Sequence, residues 1–192
     1  MTNSHRCAIA NRWFSAMRSQ QFCGIGIRDV HPKVKMSLDG AFRMDMTWVT
    51  ARVAVGGGIW TAEHMADVAR AGVTHIIDMQ LEFDDTALAE PHGIRVLWNA
   101  IDDDFQPKPP EVFQRGVEFA TAALDENETK IFIHCAAGVH RAPMMTLALL
   151  CSLGWKLQDA MRLIQARRPV VDFAEVYVES VERFLQLQEA SR

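Results

Sequence analysis

The sequence predicts an α/β domain, with a central, mostly parallel sheet flanked by helices. Short apolar or β-branched runs alternate with amphipathic ones along most of the chain, the order expected of strands joined by helices. The run Ile131-Phe132-Ile133 reads as the central strand. The segment Ala142 to Leu153 is apolar on nearly all sides, as a helix buried mid-domain must be.

Taken in order, Met46 to Val55 is β-branched and alternating, and reads as one or two strands stopped by Gly56-Gly57-Gly58. Thr61 is placed to cap a helix over Ala62 to Ala71, with Glu63 and His64 in its first turn and Gly72 ending it. Val73 to Met79 reads as a buried strand. Residues 80–91 are polar, with room for a short helix, and Ile94 to Trp98 is the next strand. Pro110 to Leu124 is amphipathic, with Val112, Phe113, Val117, Phe119 and Ala120 as its apolar stripe. Lys130 to His134 is the central strand and Ala142 to Leu153 the buried helix, ended by Gly154. Leu157 to Arg167 and Phe173 to Glu189 are two more helices, parted by Pro169. Met144, Met145 and Met161 read as core filler.

At 192 residues and 49% apolar, the chain suits one domain over residues 46–192 with an N-terminal extension over 1–45. In that extension Arg6, Arg12, Arg18 and Arg28 precede the first acidic residue, Asp29. This composition fits a mitochondrial transit peptide. The plainer alternatives, preferred here, are a loose tail or a working start at Met44 or Met46. A net charge of −4 gives no electrostatic case for nucleic acid or an anionic membrane. The four cysteines (7, 23, 135, 151) lack paired or metal-like spacing, so neither a disulfide scaffold nor a metal site is expected. The longest apolar stretch is too short to span a bilayer.

The chemistry concentrates in His134-Cys135-Ala136-Ala137-Gly138-Val139-His140-Arg141. A thiol stands where a strand enters a loop, and an arginine stands where the loop enters a helix. Ala136, Ala137 and Gly138 are small, so their amides can approach a ligand, and Gly138 permits backbone angles barred to other residues. Successive amides make an anion nest, and the following helix adds the positive end of its dipole. Arg141 would grip two oxyanion oxygens with its planar fork. Pro143 sits near the helix start, where its missing N–H costs nothing. A positive field favours a thiolate, a nucleophile that needs no separate base. The spacing therefore suits sulfur attack on a cradled tetrahedral phosphate.

His-Cys-x-x-Gly-x-x-Arg resembles the phosphate-binding loop of the cysteine-dependent protein tyrosine phosphatases, in particular the small dual-specificity group, over about residues 46–188. The resemblance implies that family's fold, a phosphocysteine on Cys135, phosphoryl binding by residues 136–140 and Arg141, and an upstream aspartate as general acid. It implies no cofactor. The family's usual distance from acid to cysteine points to Asp103 within Asp102-Asp103-Asp104, with Asp102 the runner-up and Asp104 third. In the family the histidine before the cysteine tunes the thiol. At His134 that reading stands beside a plain core histidine. His140 either lines the pocket or faces solvent. Arg167-Arg168-Pro169 resembles the family's basic turn, and cations also suit a helix C-terminus. The family usually follows its arginine with Ser or Thr. Here Ala142-Pro143 resembles the variant in the phosphatases of regenerating liver and the plant glucan phosphatases, and it implies slow breakdown of the intermediate.

A phosphomonoesterase acting on phosphoproteins is the leading expectation, in a reducing, cytoplasmic setting. Oligomeric state is open. Phosphoglucan hydrolysis and a low-turnover phospho-ligand binding module are the alternatives. Phosphoinositides are less favoured because residues 136–140 hold no lysine.

Overall fold

The computed structural model describes residues 44–191. Its five strands are β1 (Met46–Trp48), β2 (Val53–Gly56), β3 (His75–Asp78), β4 (Arg95–Trp98) and β5 (Ile131–His134), in the order β1-β2-β5-β3-β4. β1 pairs antiparallel with β2, and all other pairs are parallel. β5 is central. Its Ile131 stands in register with Val53 on one side and His75 on the other.

Six helices follow the same alternation: α1 (Ala62–Arg70), α2 (Thr86–Ala89), α3 (Pro110–Leu124), α4 (Arg141–Ser152), α5 (Leu157–Arg167) and α6 (Glu175–Ala190). The pleat sorts the sheet's side chains into two cores. Val53, Val55, Ile77, Ile131 and Ile133 join the cluster built with α3, α4, α5 and α6, whereas Ala54, Ile76 and Phe132 join Met65 and Val68 of α1. α4 is buried continuously from Arg141 to Leu150, which is why its sequence carries no polar face.

The α/β expectation holds, and α3 and α5 begin and end where the sequence placed them. Thr61 caps α1, accepting the His64 N–H at 3.3 Å. The run Met46 to Val55 splits in two because Thr50 Oγ1 accepts the Arg52 and Val53 amides and turns the chain. Gly56, expected as a stop, is the last residue of β2. A side chain there would collide with the Asp45 carbonyl. α6 starts at Glu175 and not Phe173, since Ala174 is still extended.

The expected extension over residues 1–45 lies outside the described residues except for Met44 and Asp45, as do Cys7 and Cys23. Cys135 and Cys151 are free thiols. Among the described residues no helix is long and apolar enough to cross a membrane.

Candidate active site

Parallel strands bring their C-terminal ends to one edge of a sheet, and loops from that edge converge on whatever binds there. Four loops meet here: those after β2, β3, β4 and β5. The last of them, Cys135 to His140, curls from β5 into α4. Its start lies along β2's glycines, where Cys135 N–H donates to Gly56 O at 3.4 Å and Gly58 N–H to Ala136 O at 3.1 Å.

Arg168 shapes the loop from behind. Its Nε donates to Gly138 O at 2.9 Å and its Nη2 to Ala137 O at 3.2 Å, while the Asp45 carboxylate holds both Nη atoms at 2.6–2.7 Å. A trans peptide points its N–H opposite its C=O. Turning the Ala137 carbonyl toward Arg168 therefore aims the Gly138 N–H the other way, where it donates to Cys135 Sγ at 3.3 Å. The same logic turns the Val139 amide inward. Gly138 has φ +64°, and a Cβ there would strike the Gly56 backbone, so the position requires glycine. Cys135 is 1% exposed.

Arg141 is buried at the mouth of α4 and its fork is already oriented. Nη1 donates to Glu82 Oε2 at 3.0 Å and to Ile101 O at 3.1 Å, and Nη2 to Glu82 Oε1 at 2.9 Å. Burial alone would lower the guanidinium pKa. The Glu82 hydrogen bonds and the charges of Cys135 and Asp103 outweigh it and raise the value. In return the Arg141 contact lowers the Glu82 carboxyl. Nε is buried with no hydrogen-bond partner, and Asp103 Oδ2 lies 3.7 Å from it.

The three consecutive aspartates point differently. Asp102 is exposed, and Asp104 pairs with Lys108. Asp103 turns toward the cysteine loop. Its Oδ1 accepts the Tyr177 hydroxyl at 2.9 Å and its Oδ2 meets His140 Nδ1 at 3.2 Å. Phe105, at φ +55°, stacks on Tyr177 and sits edge-on to His140. His140 thus faces the pocket, with Asp172 Oδ2 3.6 Å from its Nε2.

His134 is fully buried beneath the loop, with Nε2 2.7 Å from Asp85 Oδ2 and 3.8 Å from Asp78 Oδ1. These three side chains are grouped closely enough to suggest metal ligands. At 2.7 Å the His134 and Asp85 atoms stand closer than the ~3 Å or more between two donors on one cation, although neither has a hydrogen-bond partner. Burial lifts Asp78 to a pKa of about 8, so it holds a proton at neutral pH.

The structure brings Cys135, Arg141 and Asp103 together, and His140, for which the sequence left pocket and solvent both open, lies beside Asp103. Glu82, Tyr177 and the grip of Arg168 on the loop carbonyls were not anticipated. They come from distant segments, and only the acidic residue shortly after β3 offered any sequence signal, as one of several carboxylates there. Around the mouth Trp60, Phe83 and Phe105 are 48%, 38% and 51% exposed.

A family model described as the dual specificity phosphatase catalytic domain matches residues 59–184. Protein phosphatase Slingshot homolog 3 of Rattus norvegicus is 28% identical over 139 residues, covering 71% of this chain and 20% of that protein. Protein tyrosine phosphatase type IVA 2 of Mus musculus is 30% identical over 104 residues, covering 53% of this chain and 61% of that protein. The chain thus spans about a fifth and about three fifths of these relatives' lengths. Among solved structures, that of PTPMT1 matches with a TM-score of 0.67 at 18% identity, covering 77% of this chain and 99% of the other. The active form of Tk-PTP matches with a TM-score of 0.65 at 21% identity, covering 74% and 97%.

Proposed function

The chain belongs to the dual-specificity phosphatase catalytic-domain family, and from that premise we propose that it hydrolyses phosphomonoesters on proteins through a phosphocysteine. Cys135 Sγ attacks phosphorus. The inward amides of residues 136–140 and the Nε edge of Arg141 bind the phosphoryl oxygens as charge builds on them. The S–P bond forms as the ester P–O bond breaks. The electron pair of that bond stays with the leaving oxygen, which takes the proton of Asp103. Water then cleaves the S–P bond and returns a proton to Asp103.

The observation that carries this reading is the convergence of three groups. Sγ accepts an amide from its own loop, Arg141 is held by Glu82 with Nε left over, and the Asp103 carboxylate lies 3.7 Å from that Nε. Protein substrates are supported by the names of the relatives, a protein phosphatase and a protein tyrosine phosphatase. The exposed aromatic rim of Trp60, Phe83 and Phe105 offers contact area for a polypeptide. A thiolate nucleophile suits a reducing compartment, and we assign the activity to the cytoplasm.

A generic aryl phosphate tests the reading. The wild type is expected to release phosphate and, on rapid acid quench, to retain label on Cys135. Cys135→Ser should bind tungstate and hydrolyse nothing. Turnover by the serine variant at wild-type rate would overturn the assignment. A second reading, a module that binds phosphorylated ligands and turns them over slowly, is favoured by Ala142, which puts no hydroxyl after the arginine. Tungstate binding without hydrolysis by the wild type would select it.

A further inference from the structure

The acid loop carries its carboxylates, and a distant helix supplies the group that orients one of them. Tyr177 is the only tyrosine in the chain. It lies in the first turn of α6 and is 1% exposed. Its hydroxyl accepts the Phe105 N–H at 2.9 Å and reaches Asp103 Oδ1 at 2.9 Å. A hydroxyl has one proton to give. With the Phe105 amide pointing at its oxygen, that proton goes to Asp103. Oδ1 is therefore engaged as an acceptor. Oδ2 faces the other way, toward His140 Nδ1 at 3.2 Å and Arg141 Nε at 3.7 Å.

The ring of Tyr177 secures the rest of the loop. Phe105 stacks on it at a centroid distance of 5.8 Å, and Lys108 Nζ lies 5.3 Å over its centre. One turn along α6, Ser180 Oγ accepts the Lys108 N–H at 3.0 Å. Burial pushes the Tyr177 phenol up to about 12, so it remains a donor throughout the neutral range.

We propose that Tyr177 is the positioning residue of the general acid: it latches the loop onto α6 and reserves Oδ1, so that the transferable proton rides on Oδ2, the oxygen facing Arg141. The inference rests on Asp103 being the acid. As Oδ2–H breaks and the proton passes to the leaving oxygen, Asp103 becomes a carboxylate. The phenol's hydrogen bond to Oδ1 then strengthens, because bonds to an ionised acceptor are stronger than neutral ones. An interaction that grows during the reaction lowers the barrier. Tyr177 gives up no proton of its own.

The test is Tyr177→Phe in the full chain, with phosphate monoesters ranging from p-nitrophenyl to simple alkyl. The alkyl esters need the acid most. Their kcat/KM is expected to fall about 10- to 100-fold, part of the ~10²–10⁴ that a general acid supplies. The p-nitrophenyl ester should change less than about threefold, and tungstate affinity should hold. In an Asp103→Asn background Tyr177→Phe should cost nothing more, since the two act as one unit. An equal fall for aryl and alkyl esters, or a full extra loss in the Asp103→Asn background, overturns the proposal. If Asp103→Asn itself shows no dependence on the leaving group, it is the acid assignment that fails. If Tyr177→Phe does not fold, growth on 3-fluorotyrosine alters this one phenol alone. A stronger donor favours the carboxylate, so the alkaline limb of alkyl-ester hydrolysis should move to lower pH. An unmoved limb counts against the latch.

Discussion

Glu82 grips the Arg141 side chain, and Ala142 follows Arg141 in the chain. Glu82 holds both Nη atoms of Arg141 at 2.9–3.0 Å although its own side chain is 48% exposed. The pair is thus partly solvated, and its value lies in fixing the fork more than in stability. Glu82→Gln keeps one acceptor and loses the charge. The expected result is a fall in kcat/KM of about tenfold with little change in melting temperature, measured by steady-state kinetics beside thermal unfolding. Ala142 is fully buried in the first turn of α4, at the position where the family usually has Ser or Thr. On the proposed mechanism, the lack of that hydroxyl leaves the sulfur leaving group less well stabilised when water attacks phosphocysteine. A pre-steady-state burst of product, close to one per enzyme, is expected with aryl phosphates. Ala142→Ser should raise the steady-state rate and shrink the burst, and a linear trace at high enzyme would show that the first step is already slow.

Loops at the scale of elements are shaped from outside themselves. The cysteine loop owes its carbonyl orientation to Arg168, at the C-terminal end of α5, and Arg168 is in turn fixed by Asp45, just before β1. Arg168→Lys keeps a charge but cannot reach Gly138 O, Ala137 O and Asp45 together. Its expected signature is weaker tungstate binding, about tenfold or more, because the Gly138 and Val139 amides lose the constraint that turns them inward. Unchanged binding would mean that Gly138 alone sets the loop. This division also explains what could be read in advance. α3 and α5 were legible to the residue because Pro110 starts one and Pro169 follows soon after the other, which are local signals. Cys135 and Arg141 were legible because one short loop holds both. In the sequence only the family's spacing to the cysteine ranks Asp103 above its neighbours; what sets it apart physically is the Tyr177 hydroxyl, 74 positions away, which no local pattern encodes. Glu82 reaches Arg141 across 59 positions, and no local pattern encodes such a meeting.

At the scale of the whole molecule, a buried electrostatic burden lies under the candidate active edge. Asp78, Asp85 and His134 are each fully buried, and the first two lie at the end of β3 and at the start of α2. Asp78 Oδ1 accepts the Gln80 N–H at 2.8 Å, while Oδ2 has no partner. Burial first, then the nearby Asp85 and Asp84 charges, raise its pKa from 3.8 to about 8, against the two amide bonds that lower it. The folded state therefore keeps a proton that the unfolded chain releases above about pH 4. Between about pH 4 and pH 8 the folded chain binds more protons, so this residue's contribution to stability falls as pH rises. Above about 8 both states have lost the proton and the decline stops. The slope is at most about 1.4 kcal/mol per pH unit. Asp78→Asn has nearly the same shape, cannot ionise, and presents an amide much as the protonated acid presents its hydroxyl. The variant should match the wild type near pH 5 and become the more stable of the two by pH 8, by several degrees in melting temperature for a domain of this size. Calorimetry across that range checks it. A gap that stays constant with pH would mean that Asp78 is ionised throughout, with its charge compensated by His134. The cysteine loop follows directly from the strand that carries His134, so the same titration places a pH-dependent charge beneath the nucleophile. Asp78→Asn should consequently hold its aryl-phosphatase rate, normalised to pH 6, further into the alkaline range than the wild type does.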